Sequence, residues 1–221
     1  TQQWSDSNDG RFLELVNKIR EADAAIVNLE VVVHTFKGYA QAHSGGIHLS
    51  ARPVIAEEIS WAGFDMAIGA NNHTFDYGSI GTLETVEHCK NAGLVLAGAG
   101  KDLQTARQAK YYKNAGRTVG LIATTSSFQG YGKASRSRPD IHGRPGPSFL
   151  NVIKKNDKWT AASGDEKAHL KIIEQARGKC DQLVMSVHWH HHDINWLREF
   201  AHKCIEAGAD VVFCHGPHEV N

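Results

Sequence analysis

FDMAIGA (Phe64–Ala70), NNHTFDYG (Asn71–Gly78) and SIGTLETVEHCKNAGLVLA (Ser79–Ala97) follow one another without a break. The first segment is an apolar run bounded by glycine and asparagine, which predicts a buried strand. In the third, Ser79 is suited to cap a helix over Thr82 to Ala92, and Gly93 to close it. Leu94 to Ala97 predicts a further short strand. A strand, a polar turn, a helix and a strand in this order form a crossover unit, the building block of a parallel sheet covered by helices.

The same rhythm extends in both directions. Phe12, Leu15, Val16 and Ile19 recur at helical spacing, so Arg11 to Glu21 reads as a helix. Ala24 to Val33 is apolar and rich in β-branched residues, as in a buried strand. Pro53 suits the first turn of a helix reaching Ala62. Downstream, Lys110 to Lys113 and Thr118 to Thr125 flank Asn114-Ala115-Gly116-Arg117, the pattern of a hairpin. Ser126 to Asn151 lacks periodicity and holds three of the five prolines, so it reads as a long loop. Asp165 to Lys179 predicts a helix, Gln182 to His188 a strand, Ile194 to Ala207 a helix and Asp210 to Cys214 a strand. The fold class is α/β. With 221 residues and no repeat or change of composition, one domain is expected over 1–221.

Composition removes several functions. Lys plus Arg and Asp plus Glu number 24 each, so no net field draws the chain to nucleic acid. No apolar run approaches the roughly 20 residues that span a bilayer. No signal peptide is visible after Thr1, and any leader or anchor is expected outside this chain. Cys89, Cys180, Cys204 and Cys214 lie singly in apolar-periodic segments, as small core residues rather than a disulfide framework. Histidine stands out. Of 14, seven fall between His188 and His218, a clustering that points to a metal site.

In parallel sheets, functional groups collect beyond the carboxyl ends of the strands. Four segments end there in ligand-type residues: Asn28-Leu29-Glu30, Asn71-Asn72-His73, His188, and His215-Gly216-Pro217-His218. A carboxylate can bridge two divalent cations while imidazoles and an amide fill the other positions, a set that suits Zn, Mn or Fe. Glu30, Asn72, His188, His215 and His218 are therefore the expected ligands. His190, His191 and His192 read as a solvated loop. His73 has the chemistry of a proton donor. Asp76, three residues on, either holds its imidazole or caps the next turn. Arg136, Arg138 and Arg144, on the loop from Ser126 to Pro147, suit recognition of carboxylate or phosphate and are expected to border the same cleft.

Taken in order, these motifs resemble the CapA family, the bacterial poly-γ-glutamate capsule synthesis (PgsA-like) proteins. The resemblance runs from about Phe12 to Val220. It rests on Asn28-Leu29-Glu30, Gly63-Phe64-Asp65, the Asn71–Gly78 turn, Gly98-Ala99-Gly100, Arg138-Pro139-Asp140-Ile141 with Gly143-Arg144-Pro145-Gly146, Val187-His188-Trp189, and Ala207–Asp210 leading to His215-Gly216-Pro217-His218. It implies a calcineurin-like metallophosphoesterase fold, a four-layer α/β/β/α sandwich. The family's opening strand, ending in a Gly-Asp that serves the second metal, has no counterpart before Arg11, and the family's later strands would follow Asn221. The fold is thus expected to be incomplete at both ends. By this resemblance Glu30 bridges two metals, Asn72, His188 and His215 bind one, His218 serves the other, and His73 is the acid. The implied activity is a metal-dependent hydrolase acting on a phosphoester or a γ-glutamyl polymer. The alternative is a non-catalytic metal- and polyanion-binding role in capsule polymer synthesis or export.

Overall fold

The computed structural model describes residues 3–43, 46–126, 131–191 and 193–218. In chain order it contains α1 (Gly10–Arg20), β1 (Ile26–Asn28), β2 (Val32–Val33), β3 (Ser50–Ala51), α2 (Val54–Trp61), β4 (Met66–Ile68), α3 (Gly78–Asn91), β5 (Val95–Ala97), β6 (Ala99–Gly100), α4 (Leu103–Arg107), β7 (Lys110–Asn114), β8 (Arg117–Thr125), β9 (Gly146–Pro147), β10 (Val152–Lys155), β11 (Lys158–Ala161), α5 (Ser163–Arg177), β12 (Gln182–His188), α6 (Asn195–Glu206) and β13 (Val211–His215). This is an α/β chain built on two principal sheets. One is parallel, ordered β1-β4-β5. The other is ordered β13-β12-β8-β7, with β8, β12 and β13 parallel and β7 antiparallel.

Alternation along the strands sorts their side chains into three cores. Met66 and Ile68 of β4 pack with Ala97 of β5 and with Leu121 and Ala123 of β8, joining one sheet to the other. Ala67, pointing the other way, packs with Leu96, with Ile59 and Ala56 of α2, and with Cys89 of α3. Ile122, Leu183, Met185 and Val187 meet Ile173 of α5 and Trp196, Leu197, Phe200 and Cys204 of α6. The helices cover the sheets for a simple reason. Their apolar stripes have no other surface to bury, and each large side chain so buried contributes roughly 1.5–3 kcal/mol. Gly98, at φ +88°, lies where the sheets meet; a Cβ there would stand 2.5 Å from that of Ala70 and 2.8 Å from that of Ala123.

The expected hairpin is present. Asn114 pairs with Arg117 around Ala115-Gly116, both at positive φ, the geometry of a tight turn between twisted strands. Several expectations change. The Ala24–Val33 run does not form one strand: it breaks after Asn28, and Val32–Val33 pairs instead with Ser50–Ala51. The break turns the chain at Glu30. Helix α3 begins at Gly78 rather than beyond Ser79, and no side chain caps it. The long loop carries a short strand, β9, which pairs with β6, and beyond the loop Val152–Lys155 and Lys158–Ala161 form a further hairpin about Asn156-Asp157. No helix among the described residues is long and apolar enough to cross a membrane. All four cysteines are free; Cys89 and Cys204 are buried, whereas Cys214 is exposed on β13.

Candidate metal centre

The carboxyl ends of β1, β4, β12 and β13 converge. In register, His188 closes β12 beside His215 at the end of β13. Directly paired residues of neighbouring parallel strands point to the same side, so the two rings meet, with their Nδ1 atoms 3.1 Å apart. Ser186, two residues earlier on that face, lies 3.1 Å from His215 Nε2. From the turn after β4, Asn72 Oδ1 stands 2.8 Å from His188 Nε2. From the bend after β1, Glu30 Oε1 stands 3.9 Å from the same nitrogen. Asn28 Nδ2 donates to Glu30 Oε2 at 2.6 Å and holds the carboxylate.

The turn that presents Asn72 and His73 is built by Asn71, which is fully buried. Its Nδ2 donates to the Leu29 carbonyl at 2.8 Å and its Oδ1 accepts from the His73 amide at 3.1 Å. One side chain thereby ties the end of β1 to the turn beyond β4. His73 Nδ1 lies 2.7 Å from Asp76 Oδ2, which also accepts from the Leu49 amide at 2.8 Å. Of its two expected roles, Asp76 therefore holds the imidazole and does not cap α3. The hydrogen bond to Asp76 outweighs burial and raises the His73 pKa above its ordinary value, with the charges of Asp76 and Glu30 adding to the effect.

His190 corrects the expectation of a solvated loop. Its Nε2 lies 2.9 Å from His188 Nε2 and 3.2 Å from Asn72 Oδ1. The readable signal was alternation: if the strand continues past His188, His190 returns to the same face. Trp189 and His191 turn away and pack on Trp159, with ring centroids 5.3 and 4.1 Å from it. His192 lies outside the described residues, as do residues 127–130 of the loop. His218, at φ +61°, follows the sharp bend at Gly216, where a Cβ would stand 2.8 Å from the Trp189 carbonyl oxygen. Its ring is centred 5.4 Å from that of His190.

Among the described residues, two ligand groups share one carboxylate: Glu30, His188 and His215, and Glu30, His190 and His218, each with donor atoms within 4.8 Å of one another. Asn72 Oδ1, His188 Nε2 and His190 Nε2 form a triangle of sides 2.8, 2.9 and 3.2 Å. Metal–ligand bonds near 2.0–2.1 Å place neighbouring donors about 2.9–3.4 Å apart, so Asn72 stands close to ligand spacing from one imidazole of each group. Burial, reinforced by the neighbouring imidazoles, pushes His188 down to about 2 and His215 to about 4. Burial also lowers His190. Neutral rings facing one another are the ligand-competent form.

The three expected arginines have partners or surroundings of their own. Arg138 pairs with Asp140 at 3.1 Å, both exposed. Arg144 donates from Nη2 to the Lys133 carbonyl at 2.7 Å. Arg136 lines a separate cavity beside α4 and α5. Ser126 ties this loop's start to the centre, its amide donating to the His188 carbonyl at 3.1 Å.

Fold and cluster together define a class: an α/β protein with a carboxylate–histidine–amide centre at its strand ends. The chain belongs to the family described as bacterial capsule synthesis protein PGA_cap, whose model matches residues 6–221. Among its relatives are the capsule biosynthesis protein CapA of Bacillus anthracis, 28% identical over 206 residues, covering 90% of this chain and 46% of the relative. The PGA biosynthesis protein CapA of Bacillus subtilis is 28% identical over 204 residues, covering 90% and 48%. A Sinorhizobium fredii protein, y4sH, is 25% identical over 263 residues, covering 95% and 57%. The chain thus spans about half the length of these relatives.

Proposed function

We propose that this chain carries a two-cation centre of a hydrolase-like protein that acts on a phosphoester or γ-glutamyl bond in the synthesis of a poly-γ-glutamate capsule. The observation that carries the reading is the sharing of Glu30 between two groups of imidazoles, His188 with His215 and His190 with His218. The donor set fits Mn, Zn or Fe: neutral imidazoles, one carboxylate and the Asn72 amide oxygen, with few of the hard oxygens that Mg prefers. The three cores support a four-layer α/β/β/α arrangement of the metallophosphoesterase kind, since helices pack on one side of each sheet and the sheets pack on each other.

Divalent cations held here would activate water and stabilise negative charge developing on the reacting centre. The chain's own residues supply the rest. Asn28 orients Glu30, and Ser186 orients His215. His73, fixed through Nδ1 by Asp76, presents Nε2 as a donor for the leaving group. The relatives' names, capsule and PGA biosynthesis, support a place in polymer synthesis.

The test uses metal-loaded full-length protein with a chromogenic phosphodiester and a γ-linked glutamyl oligomer as substrates. Cleavage of either, lost on the order of 10²- to 10⁴-fold in His73→Ala with metal retained, supports the reading. Metal-loaded protein that cleaves neither substrate would leave a binding role in polymer synthesis or export.

A further inference from the structure

A cavity of about 660 Å³ lies between α4, the start of β7 and one face of α5, and shares no residue with the metal centre. Arg107, Arg136, Lys171 and Lys179 line it, against the single carboxylate of Asp102. That carboxylate is already engaged: Oδ1 accepts from the Thr105 amide and hydroxyl, both at 2.8 Å, and Oδ2 from Ser137 Oγ at 3.0 Å. Arg107 is only 7% exposed. Its Nη2 donates twice, to the Phe149 carbonyl and to Asp165, each at 3.0 Å, whereas Nε and Nη1 donate to nothing among the described residues. A guanidinium buried with donors unfilled is costly until an acceptor reaches it. Arg136, Lys171 and Lys179 are exposed and have no side-chain hydrogen bond or ion pair among the described residues.

Charge and size together select the ligand. Like charges left unpaired around one concavity repel one another, and a dianion relieves that repulsion better than a monoanion. A phosphate monoester carries about −1.5 to −2 charges at neutral pH and presents three acceptor oxygens, which suits several donors converging on one group. Inorganic phosphate would leave most of the space empty, because cavities of roughly 300–1,000 Å³ hold small organic molecules. The walls match an organic part. Leu103 and Ile172 are apolar, Tyr111 offers an aromatic ring, and Gln104 and Gln175 offer amides that both donate and accept. We infer that the cavity binds a small organic phosphate, a monoester whose phosphoryl oxygens accept from Arg107, Arg136 and Lys171 and whose organic part, of nucleoside size, lies on Leu103, Tyr111 and Ile172. This inference does not rest on the metal reading.

The experiment is calorimetric titration of the full chain with the methylenephosphonate analogue of adenosine 5′-monophosphate, which a phosphoesterase cannot cleave. Adenosine, inorganic phosphate and glutarate, a dicarboxylate, are titrated beside it. The analogue is expected to bind, more weakly as salt is raised, with the other three at least roughly ten-fold weaker. Arg136→Gln with Lys171→Gln, both at exposed positions, should weaken the analogue roughly ten-fold or more and leave metal content unchanged. Glu30→Gln at the metal centre should leave the analogue's affinity unchanged. Full affinity in the double variant overturns the inference, as does a loss confined to Glu30→Gln, which would place the ligand at the metal centre. Phosphate or glutarate binding as tightly as the analogue, or no binding of the analogue, overturns it as well. A protein that binds no metal but keeps the analogue would refute the metal reading and uphold this one.

Discussion

Asp76→Asn isolates the proton-donating arm of the centre. Asp76 is 2% exposed and belongs to neither ligand group; its Oδ2 accepts both from His73 at 2.7 Å and from the Leu49 amide at 2.8 Å. An asparagine retains the volume, and its Oδ1 can still accept from Leu49. The same oxygen serves His73 Nδ1, so the ring keeps an acceptor, but a neutral one, and loses the charge assistance of its hydrogen bond. Charge-assisted bonds contribute roughly 1.5–3 kcal/mol, about half of it from the charge. At about 1.36 kcal/mol per decade, turnover should fall roughly 3- to 13-fold. The assay is phosphodiester or γ-glutamyl hydrolysis under single-turnover conditions, with metal content measured on the same samples. Asp76→Asn should keep its metal and lose rate, while Asp76→Glu should recover part of it. Full rate in Asp76→Asn, or a rate loss that only tracks lost metal, would refute the division of labour between His73 and the ligands.

Gly98→Ala places a methyl 2.5 Å from the Ala70 Cβ at a φ of +88°. Backbone strain and overpacking together should cost roughly 2–5 kcal/mol, read as a fall in Tm of about 5–15 °C; a change under about 2 °C would mean the sheets can part there. His169 is fully buried, lies 2.8 Å by Nδ1 from the Asp165 carbonyl, and burial lowers its pKa to about 4. Because the unfolded chain takes up this proton near pH 6.5 and the folded chain only near pH 4, stability falls as pH drops through that window. Between pH 7.5 and 5 this contributes about 2 kcal/mol. His169→Phe should flatten the pH dependence of urea unfolding by that amount, and an unchanged slope would contradict it.

Much of the fold was legible because its signals are local. The turn at Ala115-Gly116 and the apolar runs before Asn71 and His188 are set by backbone sterics and burial, and each stands where the pattern placed it. What escaped depends on partners distant in sequence. Within Ala24–Val33 the polar Asn28 and Glu30 mark a place where the strand can end, but the bend itself is held from a distance by Asn71, whose side chain binds the Leu29 carbonyl. Val32 and Val33 form a strand because Ser50 and Ala51 lie beside them. The second small hairpin was readable, since Asn156 and Asp157 both tolerate the positive φ they adopt. At the centre, Glu30, Asn72, His188 and His215 were recognisable as polar endings of apolar runs. His190 was hidden by its place in a polar run, where composition suggests a loop and only strand alternation reveals its direction. For the loop arginines, composition suggests anion recognition, while the structure shows the partners they have in the chain itself, Asp140 for Arg138 and the Lys133 carbonyl for Arg144.

The central claim is that Glu30 links two cation positions. Elemental analysis of the purified full-length protein, dialysed against limiting Mn or Zn, tests it most directly when wild type, Glu30→Gln and His190→Ala are measured together. Wild type should hold about two equivalents, His190→Ala about one and Glu30→Gln well under one, because the shared carboxylate serves both groups while His190 serves a single one. Metal at background level in wild type, or the same content in all three proteins, would contradict the account.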